Sequence, residues 1–259
     1  MSVRTDDDGP VRIVTLDRPE VRNAVDRPTA TALEAVCRDA DGDDDVRVIV
    51  LTGAGDTFCA GADLHAVTDP ARRNVIDDTD QGPMGPTRWQ PATPVIAAIE
   101  GHAVAGGLEL ALWCDVRIAA SSAVFGVFCR RVGVPLIDGG TVRLPRIVGQ
   151  GRALELILTG RAVRAEEALH IGLVSTVVAD GQALTAAVEL GHRLAAWPQT
   201  TLRADLASAR EAFDRPLDAA LRREHDGGVA AIAAGGLDDG IRRFQAGEGR
   251  SGAPLNPTG

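Results

Sequence analysis

Gly101-His102-Ala103-Val104-Ala105-Gly106-Gly107-Leu108-Glu109-Leu110-Ala111-Leu112-Trp113-Cys114-Asp115 is the stretch on which the reading of this chain turns. It follows an apolar, strand-like run, Pro94-Val95-Ile96-Ala97-Ala98-Ile99. Small residues then give way to Leu108, Leu110, Ala111, Leu112 and Trp113, a helix with no water-facing side. A helix apolar all round is a buried helix. Its first turn carries one carboxylate, Glu109, where an unpaired charge is costly. Glycines opening such a helix leave backbone N–H groups free to meet an anion or a polarised oxygen. The stretch is therefore the first candidate for an active centre.

The rest of the chain sets bounds on that centre. At 259 residues it can bury a sizeable core. A net charge of −9 argues against a nucleic-acid surface or an anionic membrane as main partner. Every basic residue is Arg, so lysine Schiff-base and lysine-nucleophile chemistry are excluded. Cys37, Cys59, Cys114 and Cys129 form no CxxC pair, and the five histidines show no HxxxH or HxH spacing. Neither a disulfide framework nor a metal site is expected. With no signal-peptide pattern at Met1–Asp8 and no apolar run of spanning length, a reduced, cytoplasmic, non-membrane setting is expected.

Outward from the central stretch, Val11–Leu16 alternates like a strand and stops at Asp17-Arg18-Pro19-Glu20. A helix is expected from about Pro28 to Ala40. The β-branched run Val46–Thr52 predicts a central strand. Residues 69–90 are polar and acidic with Gly82, Pro83, Gly85 and Pro86, which predicts a mobile loop walling a ligand site. Val116–Ala120 and Val174–Val178 read as strands, and helices are expected at about 140–148, 151–158 and 165–171. From Gln182 onward helical patterns dominate, broken at Pro198 and near Pro216. The class is α/β, a βαβ-built core followed by a helical appendage.

Four segments resemble the enoyl-CoA hydratase/isomerase (crotonase) family: Leu16–Val25, Phe58-Cys59-Ala60-Gly61-Ala62-Asp63-Leu64, Gly101–Asp115, and Gly139–Pro145 with Gly160-Arg161. The likeness spans about residues 10–250, and Gly240–Arg250 is similar to the family's closing helix. The resemblance implies a spiral of ββα turns over residues 1–195 holding a CoA-thioester site. It also implies a C-terminal helical trimerisation region, 196–259, within a homotrimer or a hexamer made as a dimer of trimers. The last nine residues read as a frayed tail.

It further implies an acyl-CoA substrate, no cofactor beyond the coenzyme A of that substrate, and an oxyanion hole from the N–H groups of Ala62 and Gly106. The physical logic agrees: small residues let the backbone approach a carbonyl, and a helix N-terminus favours developing negative charge. The plainer reading of Gly106 and Gly107 is tight helix–strand packing. Glu109 falls at the family's first catalytic carboxylate; the plainer reading is a hydrogen-bonded structural glutamate. Ala60, Asp63 and Leu64 would hold the adenine end of CoA through their backbone, with Arg22 near the phosphates. Ala24 and Gly107 are counted in the same binding site.

One departure stands out. Gapless alignment between Phe125-Gly126 and Gly139-Gly140-Thr141 puts Cys129 where a hydratase carries its second glutamate. Cys129 reads as a packed residue, or as a thiol activated by Arg130 and Arg131. Asp138 is the other candidate acid, and its structural alternative is an N-cap for the helix near Gly139. Asp77, Asp78 and Asp80 could swing in from the loop, and His102 reads as a local structural residue. The expected activity is hydration of 2-enoyl-CoA thioesters through a single glutamate. The alternatives are double-bond isomerisation, acyl-CoA hydrolysis using Asp138, or non-catalytic thioester binding.

Overall fold

The computed structural model describes residues 2–77 and 81–247. Its main sheet has the order β1-β2-β3-β4-β6-β9: β1 (Val3–Asp8), β2 (Val11–Leu16), β3 (Val48–Gly53), β4 (Val95–Ile99), β6 (Val116–Ala120) and β9 (Thr176–Val178). Only β1 and β2 pair antiparallel; the other neighbours run parallel. A smaller sheet orders β5 (His102–Val104), β7 (Val124–Gly126) and β8 (Val163–Arg164) as β5-β7-β8.

The central strands are covered on both faces, and their side chains divide by parity. Ile49, Leu51, Ala97 and Ile99 join the larger core cluster, with residues of α1 (Arg27–Gly42) and α2 (Gly106–Trp113). Val48, Val50, Ile96 and Ala98 point to the other face, where α6 (Ala183–Ala195) lies. The buried residues of α6 are Ala183, Ala187, Gly191 and Ala195, one every four. That small-residue stripe brings the helix down onto the sheet, and a Cβ on Gly191 would come within 3.0 Å of Val11.

The ββα turn of the resemblance appears as β4–β5–α2 and again as β6–β7 followed by α3 (Gly140–Val148). At each turn the chain leaves the large sheet and enters the small one. Gly101, at φ +51, makes the first switch, and a side chain there would run into the Asp56 carbonyl. An isolated parallel bridge between Cys59 and Ala103 stacks the 58–62 segment beside β5. That stacking puts residues 61 and 62 next to the start of α2.

The helix expectations hold within two residues: α1, α3, α4 (Gln150–Thr159) and α5 (Ala165–His170) all form. Helices α7 (Gln199–Glu211), α8 (Leu217–Ala231) and α9 (Leu237–Gln245) follow Pro198 and Pro216 as read. Bidentate pairing of Arg210 with Asp115, at 2.8 and 2.6 Å, ties α7 to the end of α2.

Two expectations need correction. Met1–Asp8 carries no expected element, only the lack of a signal-peptide pattern, yet Val3–Asp8 forms edge strand β1. Asp6 pairs with Arg4 inside the segment, and Asp7 lies opposite Arg12 in the ladder, with their side chains 2.5 Å apart. Charged residues on an edge strand also discourage pairing with another chain. Nor is the 69–90 segment loose throughout. Met84, Gly85, Pro86 and Thr87 are buried, and Arg72 bonds Asp26 at 2.9 Å and Asp63 at 3.2 Å. Asp78, Asp80 and the tail from 248 lie outside the described residues.

Candidate active site

Two backbone N–H groups come together where the 58–62 segment meets α2. Ala105, the N-cap of α2, sits at φ +52, ψ −125, and no side chain caps the helix. Gly61 sits at φ +100, immediately before Ala62. Each of the two donors thus follows a residue in the positive-φ region. For alanine that region is strained, a cost structures keep where surrounding contacts impose it.

The neighbouring hydrogen bonds explain how the donors stay free. Val25 donates to the Gly61 carbonyl at 2.8 Å and accepts from Asp63 N–H at 2.9 Å, so the pairing straddles Ala62. The N–H groups of Leu108 and Glu109 both turn back to the Ala105 carbonyl, at 3.0 and 3.3 Å. Among the described residues no acceptor engages Ala62 N–H or Gly106 N–H. A Cβ on Gly61 would lie 3.0 Å from the Gly106 nitrogen, which measures how closely the segments approach.

Glu109, one turn into α2, is 3% exposed. Its Oε1 accepts from Asp138 N–H at 2.9 Å and Gly140 N–H at 2.8 Å, the only partners this carboxylate has among the described residues. Burial, and then the charge of Asp138, push its pKa up to about 7 despite those two N–H groups and Arg143. One oxygen is fixed and the group is poised near neutrality, the condition a general acid/base requires. Gly140 is glycine because a side chain there would come within 2.9 Å of Oε1.

Asp138 does not cap α3. Gly139 is the N-cap, at φ +94, with no side-chain cap bond. Asp138 instead reaches back to the 82–87 segment, where its Oδ1 accepts from Met84 N–H at 3.0 Å and from the Thr87 hydroxyl. Its burial raises its pKa, partly offset by those bonds. The 82–87 segment is itself a tight turn closed by Gly82 and Gly85, which exchange N–H···O bonds of 2.9 and 2.8 Å. A side chain on Gly82 would collide with Thr87 and Asp138.

Arg143, from the first turn of α3, completes the brace. It donates to the Asp138 carbonyl at 2.9 Å and the Thr87 carbonyl at 2.6 Å. No carboxylate lies within ion-pair distance of it among the described residues. Its burial lowers its pKa, and the acids nearest in its field are Glu109 and Asp138. The 138–140 turn that grips Glu109 is therefore backed by a half-buried cation.

Cys129 is buried in a short 3₁₀ segment, Phe128–Val132. Burial and then the negative charge of Glu109 push its thiol pKa upward. Arg130 only partly opposes this, so the thiol is protonated at neutral pH and the packed reading holds. Asp77 is exposed and contributes its carbonyl to Arg88 at 3.0 Å. His102 is exposed at the start of β5 and accepts Cys59 N–H at 2.9 Å through its carbonyl.

The residues expected to hold CoA are close together in chain space but differ in availability. Arg22 is exposed at φ +55, and its carbonyl accepts Ala60 N–H at 3.0 Å. Ala24 is buried, with its carbonyl taken by Arg18 at 2.6 Å. Leu64 is half exposed. Asp63 braces the segment through its internal bonds. Its N–H goes to Val25, its carbonyl accepts Ala66 N–H at 3.0 Å, and its carboxylate bonds Arg18 at 3.0 Å and Arg72 at 3.2 Å. Gly107 fits its packing reading, since a Cβ there would run into the Cys59 carbonyl.

Sequence reasoning missed Met84, Thr87 and Arg143. The paired glycines of Gly82-Pro83-Met84-Gly85 signal a tight turn, but nothing local says what the turn touches. Among the described residues no group of three or more His, Cys, Asp or Glu could hold a metal ion, and no helix is long and apolar enough to cross a membrane.

The mostly parallel α/β core, with two free N–H groups beside a buried glutamate, is a crotonase fold. The family model for enoyl-CoA hydratase/isomerase matches residues 7–245, and the chain belongs to that family. It is similar to the enoyl-CoA hydratase EchA19 of Mycobacterium tuberculosis, at 36% identity over 91% of this chain and 90% of that one. It is also similar to the (E)-benzylidenesuccinyl-CoA hydratase of Thauera aromatica, at 37% identity over 83% of this chain and 84% of the relative. The crystal structure of enoyl-CoA hydratase EchA1 from Mycobacterium marinum superposes with a TM-score of 0.90, at 31% identity over 98% of both chains.

Proposed function

We propose that this chain hydrates 2-enoyl-CoA thioesters, with Ala62 and Gly106 holding the thioester oxygen and Glu109 acting as the single acid/base. The observation that carries this is Glu109 itself. It is buried one turn beyond a free helix N-terminus, with one oxygen fixed by two N–H groups and its pKa near 7. In the reaction, the Glu109 carboxylate takes a proton from water as the water oxygen bonds to C3. The π electrons of C2=C3 move through the carbonyl onto the thioester oxygen, where the two N–H groups stabilise the charge. The proton held on Glu109 then passes to C2 as the enolate collapses, and the carboxylate is regenerated.

Asp138 is assigned a holding role, because its Oδ1 is occupied by Met84 and Thr87. Arg22, Ala24, Ala60 and Leu64 flank the route by which CoA would enter. The reading includes a cytoplasmic setting, no cofactor beyond the CoA of the substrate, and a trimer or hexamer. Division of the chain into a core of 1–195 and an oligomerising region of 196–259 belongs to it too. Exposed Phe213, Leu217, Leu221 and Phe244 in the C-terminal region support the assembly.

The test is loss of enoyl-thioester absorbance on adding the protein to crotonyl-CoA, repeated with Glu109→Gln. Turnover abolished by that change supports hydration; absence of turnover, or turnover insensitive to the change, overturns it. A second reading, double-bond isomerisation, rests on the packed, protonated Cys129 where a partner acid would stand. One carboxylate suffices to move a proton from C2 to C4, so conversion of 3-enoyl-CoA to 2-enoyl-CoA without net hydration would favour it.

A further inference from the structure

The side chain of Met84 lies directly over Gly106. A Cβ built on Gly106 would come within 2.7 Å of its sulfur, 3.0 Å of Cγ and 3.1 Å of Cε, so the thioether covers that residue. Met84 is 1% exposed. It stands at the tip of the Gly82–Gly85 turn, and its own N–H is held at 3.0 Å by Asp138 Oδ1. Asp138 also holds Thr87 at the far side of the same turn, and Arg143 clamps the Thr87 carbonyl at 2.6 Å. The turn thus has anchors at Met84 itself and at Thr87, both leading back to the segment that grips Glu109.

We propose that Met84 is the specificity-determining residue of this site, a wall across the acyl channel that restricts the protein to short, four- to six-carbon acyl thioesters. This rests on the thioester reading above. A thioester oxygen on Gly106 N–H brings C2 and C3 within a few bond lengths of Gly106, so the chain beyond them meets Met84. An unanchored methionine adapts easily, being unbranched and soft. Here the backbone that carries it is pinned at Met84 N–H and at Thr87, and the side chain is 1% exposed, so its packing limits how far the wall can give.

The experiment compares the wild type with Met84→Ala and Met84→Phe. It measures kcat/KM for four-, six- and ten-carbon trans-2-enoyl-CoAs, and calorimetric affinity for butyryl-CoA and decanoyl-CoA. Wild type should favour the four-carbon substrate over the ten-carbon one by about tenfold or more, the size of discrimination a filled apolar pocket achieves. Met84→Ala should raise the ten-carbon to four-carbon ratio by about tenfold, and Met84→Phe should lower it. Wild type favouring the long chain, or a ratio unchanged in both variants, overturns the proposal. Size-selective binding that shifts in Met84→Ala, with no turnover of any substrate, would sustain Met84 as the wall while sinking the hydratase reading. If neither saturated acyl-CoA binds the folded wild type, both fall together.

Discussion

Gly61 and Ala105 meet across the two segments that supply the free N–H groups: a side chain on Gly61 would approach the Ala105 Cβ to 3.0 Å, and both residues have positive φ. The pair of free N–H groups proposed to hold the thioester oxygen is thus set by two facing backbone reversals, one at a glycine and one at an alanine. Glycine adopts that conformation freely, whereas alanine does not.

Ala105→Gly removes that strain and should stabilise the protein by about 1 kcal/mol, the gain from relief outweighing the glycine's entropy. Denaturant midpoints at constant slope would check it. An unchanged or lower midpoint would show that the alanine is not strained.

The Glu109 carboxyl gives two pH dependences of opposite sense. As a base it must be ionised, so kcat/KM should rise with pH through about 7 and level above it. Stability runs the other way. The folded-state pKa of about 7 exceeds the ordinary 4.5, so the folded state binds the proton more tightly than the unfolded chain. The contribution is complete below about 4.5 and is lost as pH rises through 7, by about 3 kcal/mol. Glu109→Gln should flatten this stability profile while cutting turnover by roughly 10²–10⁴. Chemical denaturation at pH 5 and pH 8 separates the two effects.

Arg143→Met removes the cation behind the 138–140 turn and two hydrogen bonds to carbonyls. Since that cation lowers the Glu109 pKa, the acid limb of the pH–rate profile should move to higher pH. Stability should fall by about 2–3 kcal/mol for the unmet Asp138 and Thr87 carbonyls. Arg143→Lys should recover the position of the limb better than the stability, since one ammonium cannot repeat the fork. An unmoved limb in Arg143→Met would assign Arg143 a purely structural role.

Cys129→Ser should leave turnover within about twofold, because the thiol is protonated, packed and outside the proposed chemistry. Cys129→Glu places a second carboxylate near Glu109 and should push the Glu109 pKa higher still by like-charge repulsion. A pH–rate profile of the Glu variant reads this directly, and a large loss in the Ser variant would reinstate the thiol as a participant.

Much of the fold was legible because its signals are local. The apolar character of Leu108–Trp113, interrupted by Glu109 alone, announced a buried helix, and α2 is buried at every residue from 106 to 113. Val48–Leu51 and Val95–Ile99 read as covered strands from unbroken apolar runs. Strand β1 escaped because its stability lies in pairing with β2, and Asp6-Asp7-Asp8 carries no strand propensity of its own. The short strands β5, β7 and β8 are likewise defined by their partners rather than by pattern.

The site divides along the same line. The sequence by itself determined the ingredients: glycines before a buried helix and one glutamate inside it. Tertiary structure decided what those ingredients do. Asp138 looked like a helix cap, yet it anchors Met84 and Thr87, more than fifty positions earlier in the chain. Glu109 owes its raised pKa of about 7 to burial and to the charge of Asp138, and the N–H groups that hold it in place lie some thirty positions later. Propensity and periodicity act over a few residues, whereas desolvation and hydrogen bonding act over a few ångströms, and only folding brings the two scales together.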